Sequence, residues 1–462
     1  MGFALDRGLL YSGEPQKTTR RGRDREIFVG QEVAPPLANS GTMSETNEMG
    51  FDPVPLRAQF PALSQMWGGR QAVFFDNPGG TQVPQAVIDA VAGYYQTSNA
   101  NVGGAFATSR RTDAVVAGAR AAMTDLLGAP GPESIVFGPS MTALTFHLAR
   151  SLMETVKPGD EVIVTNLDHD ANVTPWTELE AAGAVVRVAD IRPSDGTLDL
   201  DGLEALLCPR TRLVAVSHAS NAVGTIPDVK RVVDVAHRAG ALVFVDAVQY
   251  APHAPLDVQA LDCDFLACSA YKFFGPHLGI LYGKAEHLTR LTPHKVKPSK
   301  DTLPYRWEQG TLNHEGLAGV TAAVDHLAAI GAGEGVSRRQ ALASAMQTVQ
   351  AYEQTLSRRL LDGLRALDDV RVYGLTDTAR LGERVPTVAF TWPRLSPRAT
   401  AEHLASQGIA CWSGDYYAQR LMRRLSLDEA GGAVRVGLAH YNTAEEVDRL
   451  IGVLADVPMA GA

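Results

Sequence analysis

From about residue 70 the chain alternates short apolar runs with longer amphipathic stretches, and few folds satisfy that alternation. The short runs are Ser134-Ile135-Val136-Phe137, Glu161-Val162-Ile163-Val164-Thr165, Ala184-Val185-Val186-Arg187-Val188, and the segments 212–217, 241–246, 265–268 and 279–282. Most are rich in β-branched or aliphatic residues, as strands covered on both faces must be. Helical patterns separate several of them, at 141–154, 176–182 and 229–239. Such a chain builds an α/β domain on a mainly parallel sheet. Residues 317–332 and 338–366 read as long helices. Beyond about 370, shorter strand and helix patterns read as a smaller α+β domain, one strand running over 387–391 just after Pro386, where a proline is tolerated. The expected division is a large domain over 51–310, then connecting helices and the small domain over 311–462.

Residues 1–50 break the pattern. The stretch from Thr18 to Arg25 is charged and lacks periodicity, and no long apolar run follows Arg20-Arg21 as a twin-arginine signal would require. The segment reads as a disordered tail, or as upstream sequence ahead of a start at Met43. A formal net charge of −9 argues against a nucleic-acid-coating surface. No apolar run reaches the length of a membrane span. The four cysteines, Cys208, Cys263, Cys268 and Cys411, form no CxxC pair and no Cys/His cluster, so neither a disulfide framework nor a metal site is expected. A cytoplasmic protein is the simplest expectation.

Four segments carry chemistry. In Cys268-Ser269-Ala270-Tyr271-Lys272-Phe273-Phe274-Gly275-Pro276 a lysine follows a buried strand and precedes two aromatic residues. Lysines are ordinarily solvated. One held in apolar surroundings is a candidate for a lowered pKa and imine chemistry. Asp246 ends the hydrophobic run 243–246, at the strand end where open α/β sheets place their sites. It reads either as a cap or as the anion that pyridoxal phosphate needs against its pyridine nitrogen. Phe137-Gly138-Pro139-Ser140-Met141-Thr142 is a strand, a turn and hydroxyl residues opening a helix. It reads as a phosphate site at a helix N-terminus or as an ordinary Ser cap. His169, in Asp168-His169-Asp170-Ala171-Asn172, follows another strand. Its imidazole suits stacking on an aromatic cofactor and passing protons, or a plain capping role.

Taken together, these segments resemble the class V aminotransferase family, in its cysteine desulfurase-like branch. The resemblance covers about residues 70–455 and rests on Phe75-Asp76-Asn77-Pro78-Gly79-Gly80, Asp168-His169-Asp170-Ala171-Asn172, Ser220-Asn221-Ala222-Val223-Gly224, Asp246-Ala247-Val248-Gln249, Ser269-Ala270-Tyr271-Lys272 and the run from Arg435 to Thr443. It implies the aspartate aminotransferase-like fold of pyridoxal-phosphate transferases. It implies further that Lys272 holds the cofactor as a Schiff base and shuttles the substrate α-proton. Asp246 would pair with the pyridine nitrogen, Gln249 with the phenolic oxygen, and His169 would stack on the ring. Ser140, the Met141 backbone, Ser269 and Tyr271 would hold the phosphate. Thr311 would reach the phosphate of a second subunit, making a homodimer. Asn221 and Arg435 would grip the substrate carboxylate, a role that suits the guanidinium fork.

The chain departs from that family in one loop. Desulfurases carry a loop cysteine that takes the substrate sulfur as a persulfide. Aligning Gly414 and Ala418 of Cys411-Trp412-Ser413-Gly414-Asp415-Tyr416-Tyr417-Ala418 puts Tyr417 at that position. Cys411 reads as a buried thiol at the end of a short strand, 408–411, or as a displaced nucleophile. Gly103-Gly104 stand where the family carries a basic or imidazole side chain, which implies a wider pocket mouth. The function expected is a C–S β-lyase on an S-substituted cysteine, with Lys272 as base and Tyr417 near the leaving atom. Transamination, epimerisation, decarboxylation-linked deamination, a true desulfurase using Cys411, and a non-catalytic binding protein remain the alternatives.

Overall fold

The computed structural model describes residues 51–457, and the tail expected over 1–50 lies outside them. Seven strands form the large sheet: β1 Ile135–Gly138, β2 Glu161–Thr165, β3 Val185–Ala189, β4 Thr211–Ser217, β5 Leu242–Asp246, β6 Phe265–Ser269 and β7 Gly279–Gly283. Their order is β1-β7-β6-β5-β4-β2-β3. All neighbours run parallel except at β7, which is antiparallel to both β6 and β1. Every residue of β2, β5 from Val243 onward, β6 and β7 is buried, which is why these strands read as continuous apolar runs rather than alternating ones.

Helices cover the sheet. They include α1 Gln85–Thr97, α2 Ala107–Leu127, α3 Met141–Met153, α4 Val229–Arg238, α5 His314–Ile330 and α6 Arg338–Arg365. Their starts are written in the sequence. The Ser140 hydroxyl accepts from Ala143 N–H, Asp228 from Arg231 N–H, and Ser337 with Gln340 forms a capping box. Helix α5 packs against α1 and α2, and α6 leads from there to the second sheet.

That second sheet is antiparallel and four-stranded: β8 Arg371–Tyr373, β9 Thr387–Thr391, β10 Trp412–Gly414 and β11 Ala433–Gly437, in the order β8-β9-β11-β10. Two details differ from the sequence expectation. The strand expected over 408–411 is split: Ile409–Ala410 pairs in parallel with Val73–Phe74, and after Cys411 the chain passes into β10. The segment around Val73, which the sequence groups with the first domain, thereby joins the core of the second sheet together with Phe75, Val434 and Val436. Asn77 ties the two parts. Its Nδ2 donates to Phe74 O, Gly437 O and Asn442 Oδ1 at 3.0, 2.8 and 3.1 Å.

Candidate active site

Parallel strands of the large sheet end on one side, and their C-terminal ends set the floor of a cavity of about 780 Å³. Asp246 stands at the end of β5, Ser217 at the end of β4, Ser269 at the end of β6, and His169 just beyond β2. This is the edge where an open α/β sheet presents loops and helix starts to a ligand. The short turn Ala270–Lys272 carries Lys272 from β6 into the cavity, and loop 412–417 with Arg435 of β11 closes the other side.

Of the residues singled out from sequence, Met141, His169, Asn221, Asp246, Gln249, Ser269, Tyr271, Lys272, Tyr417 and Arg435 all line this one cavity. Ser140 does not; its hydroxyl accepts from Ala143 N–H at 3.1 Å, the capping role. Thr311 is exposed on the loop before α5, away from the cavity. Gly103 and Gly104, read as widening the mouth, are not among the lining residues.

Lys272 is 8% exposed, and its ammonium donates to Pro78 O and lies 4.9 Å from the Tyr271 ring centroid. Burial lowers its pKa to about 7, with the Arg435 charge pushing the same way. Asp246 is pushed up to about 7 by burial, opposed by the Val248 N–H that its Oδ1 accepts at 2.9 Å. Asp168, buried behind it, bonds Ser217, Thr165 and Asn172, and burial still raises it to about 6. His169 is lowered to about 4 by burial and then by Lys272. Its Nδ1 accepts from Ala171 N–H at 3.0 Å, so the neutral ring carries its proton on Nε2. Arg435 is lowered to about 10 by burial. Its NH1 donates to Asn221 O at 2.8 Å, while Nε has no partner among the described residues. Gln249 Nε2 donates to Thr387 Oγ1 at 3.1 Å, leaving a second N–H on that nitrogen; Gln249 Oε1 and Asn221 Oδ1 are buried and have no partner among the described residues.

Glycines make the close approaches possible. A Cβ on Gly279 of β7 would sit 2.2 Å from Ser140 C and 2.5 Å from Met141 N, so only glycine lets β7 lie under the start of α3. A Cβ on Gly437 would sit 2.1 Å from Pro78, the residue whose carbonyl holds Lys272.

Sequence reasoning left several lining residues without a role: Asp76 nearby, whose carboxyl burial raises, and Pro78, Thr142, Phe146, Asp170, Trp412, Asp415 and Tyr416 in the lining itself. Thr142 and Phe146 were within reach, since a helix opening at Met141 puts positions four apart on one face. Tyr416 was not, because its placement depends on backbone with φ +56° at both Tyr416 and Tyr417.

A mixed seven-stranded α/β sheet with a buried lysine and a buried aspartate at its strand ends, joined to a small antiparallel domain, is a fold shared with solved cysteine desulfurases. The chain belongs to the class V aminotransferase family, whose model matches residues 73–450. It is 35% identical over 422 residues to a cysteine desulfurase of Synechococcus elongatus, covering 88% of this chain but only 64% of that relative's length. It is 36% identical to an aminotransferase-like protein, FGM3, of Gibberella zeae, covering 86% of this chain and 96% of that one. Among solved structures, the cysteine desulfurase CsdA of Escherichia coli superposes with a TM-score of 0.74 at 31% identity, over 87% of this chain and 98% of that one. No described helix is long and apolar enough to cross a membrane.

Proposed function

We propose that the chain binds pyridoxal phosphate on Lys272 and acts as a C–S β-lyase on an S-substituted L-cysteine. The residues present fit the cofactor. Lys272 is buried with a lowered pKa, Asp246 is a buried acid at the strand end, the first N–H groups of α3 border the cavity, and Gln249 keeps an unused N–H there. Pyridoxal phosphate, when bound, supplies an electron sink for negative charge at the substrate α-carbon.

The chain's own residues supply the rest. Asp246 would pair with the ring nitrogen and keep it protonated. The helix start at Met141, with Ser269 and Tyr271, would hold the phosphate, helped by Thr311 of a second subunit. Arg435 and Asn221 hold the substrate carboxylate. Lys272, with a pKa near 7, would take the α-proton at neutral pH, leaving an electron pair at Cα that forms the Cα–Cβ double bond. The C–S bond then breaks with its electron pair going to sulfur. Tyr417 would donate a proton to the leaving atom, a role supported by its place in the cavity lining, 69% exposed and 5.6 Å ring to ring from His169.

The observation that carries the elimination reading is the absence of a thiol from the cavity lining. Cys208, Cys263, Cys268 and Cys411 all lie outside it, and burial pushes Cys411 up to about 12, which keeps it a protonated thiol. The relatives called cysteine desulfurases favour a second reading, in which Cys411 takes sulfur as a persulfide. The test is a panel of amino acids and S-substituted cysteines with product analysis, on wild type and Lys272→Ala. Expected is a yellow protein that releases thiol and a 2-oxo acid from S-substituted cysteines, and a variant that has lost both the visible band and turnover. An unchanged spectrum in Lys272→Ala would remove the lysine from the mechanism.

A further inference from the structure

Loop 412–417 does more than close the cavity. Tyr416 and Tyr417 both have φ +56°, a region that bulky L-residues avoid, so the surroundings must hold them there. Each restraint is visible. Asp415 Oδ1 accepts from Tyr417 N–H at 3.0 Å, and Tyr417 O accepts from Asp170 N–H at 2.7 Å. Tyr416 O accepts from Asn221 Nδ2 at 2.8 Å, and the Tyr416 hydroxyl donates to Ala433 O on β11.

The strand register explains why this matters. Trp412 lies opposite Arg435 and Gly414 opposite Ala433, so the chain leaving β10 at Gly414 folds back over β11. The Tyr416 ring then lies 4.3 Å from the Arg435 guanidinium carbon. Three residues close a cycle: Arg435 NH1 donates to Asn221 O, Asn221 Nδ2 donates to Tyr416 O, and the Tyr416 ring faces the guanidinium. Within that cycle Arg435 Nε and Asn221 Oδ1 are buried and have no partner among the described residues. Buried polar atoms are ordinarily satisfied. Arg435 Nε, on a residue locked in place at the cavity wall, is a donor held for an anionic ligand group, and Asn221 Nδ2 keeps a second N–H beyond the one given to Tyr416 O.

We infer that Tyr416 is a positioning residue that sets the plane of Arg435 and the orientation of Asn221 for the carboxylate of an amino-acid substrate. This rests on the reading that Arg435 and Asn221 grip that carboxylate, and not on which reaction follows. A ring under a guanidinium fixes its plane while leaving its edges to accept a carboxylate, and the contact strengthens as water is excluded.

The test reads the rapid spectral change on mixing, ahead of product formation. The protein reconstituted with pyridoxal phosphate is titrated with S-methyl-L-cysteine and with S-methylcysteamine, which lacks only the carboxylate, and the change in visible absorbance gives an apparent dissociation constant for each. Tyr416→Leu is expected to weaken S-methyl-L-cysteine about tenfold while leaving S-methylcysteamine within about twofold, a range set by cation–π contacts in desolvated sites. Tyr416→Phe, which keeps the ring, is expected to restore the preference. Equal weakening of both ligands by Tyr416→Leu, no weakening of either, or a Phe variant that behaves like the Leu variant would each overturn the inference. Arg435→Ala separates it from the reading beneath. If that change does not cost S-methyl-L-cysteine more than S-methylcysteamine, the carboxylate grip itself is wrong and Tyr416 falls with it. If it does and Tyr416→Leu does not, only the role of Tyr416 falls.

Discussion

Asp246 and Lys272 face opposite protonation problems. The carboxyl of Asp246 is raised by burial from 3.8 to about 7, so between those values the folded apo-protein binds more protons than the unfolded chain. Stability from this group is therefore present below pH 4 and lost as pH rises through 7. Lys272 is lowered from 10.5 to about 7, so across that window the folded apo-protein binds fewer protons and stability rises with pH. Replacing Asp246 by Asn should stabilise the apo-protein at pH 8, by at most about 4 kcal/mol, and leave it unchanged near pH 4. Thermal melts at the two pH values check this; equal effects at both would mean the carboxylate is not under strain. The same variant reconstituted with cofactor should lose most turnover, because no anion then faces the ring nitrogen. Both residues were legible from sequence, since each sits where a buried strand ends. Asp76 and Tyr416 were not. Asp76 depends on a chain crossing from one sheet to the other, and Tyr416 on a backbone conformation that no residue pattern marks.

At the level of elements, the strands were legible because each is buried on both faces and so carries its own signal. Observed β2 and β9 have the bounds their apolar runs suggest, 161–165 and 387–391. The small domain was harder to read because its strands β8 and β10 have three residues each, and β10 begins only where the chain changes sheets after Cys411. The start of α3 shows a dependence that sequence spacing hides: the proposed phosphate site needs the glycine of a strand 138 residues further on, counting from Met141 to Gly279. Gly279→Ala should cost about 1–3 kcal/mol of stability through overpacking against the Ser140–Met141 backbone. It should also weaken pyridoxal phosphate more than pyridoxal, which has no phosphate. Cofactor titrations followed by absorbance separate the two, and equal loss for both would mean that α3 does not bind the phosphate.

For the whole molecule, the proposed homodimer would supply Thr311 across the interface. The loop that carries it stands on a rigid base. Glu308 pairs with Arg120 at 2.6 Å, both side chains 5% exposed, and accepts from Phe137 N–H of β1 at 3.1 Å. Thr311→Ala should leave a dimer by sedimentation while weakening pyridoxal phosphate about tenfold, the worth of one hydrogen bond to a charged group. A monomeric holoenzyme would remove Thr311 from the site. The chemistry itself turns on whether sulfur leaves with its substituent or is taken by the protein. The most direct measurement is to give the reconstituted wild type and Cys411→Ser an S-substituted L-cysteine, quantify pyruvate and alanine, and weigh the protein intact afterwards. Elimination predicts pyruvate and free thiol at similar rates from both proteins and no added sulfur mass. Alanine as product, a mixed disulfide of Cys411 with the substrate's S-substituent and an inactive Cys411→Ser would contradict it.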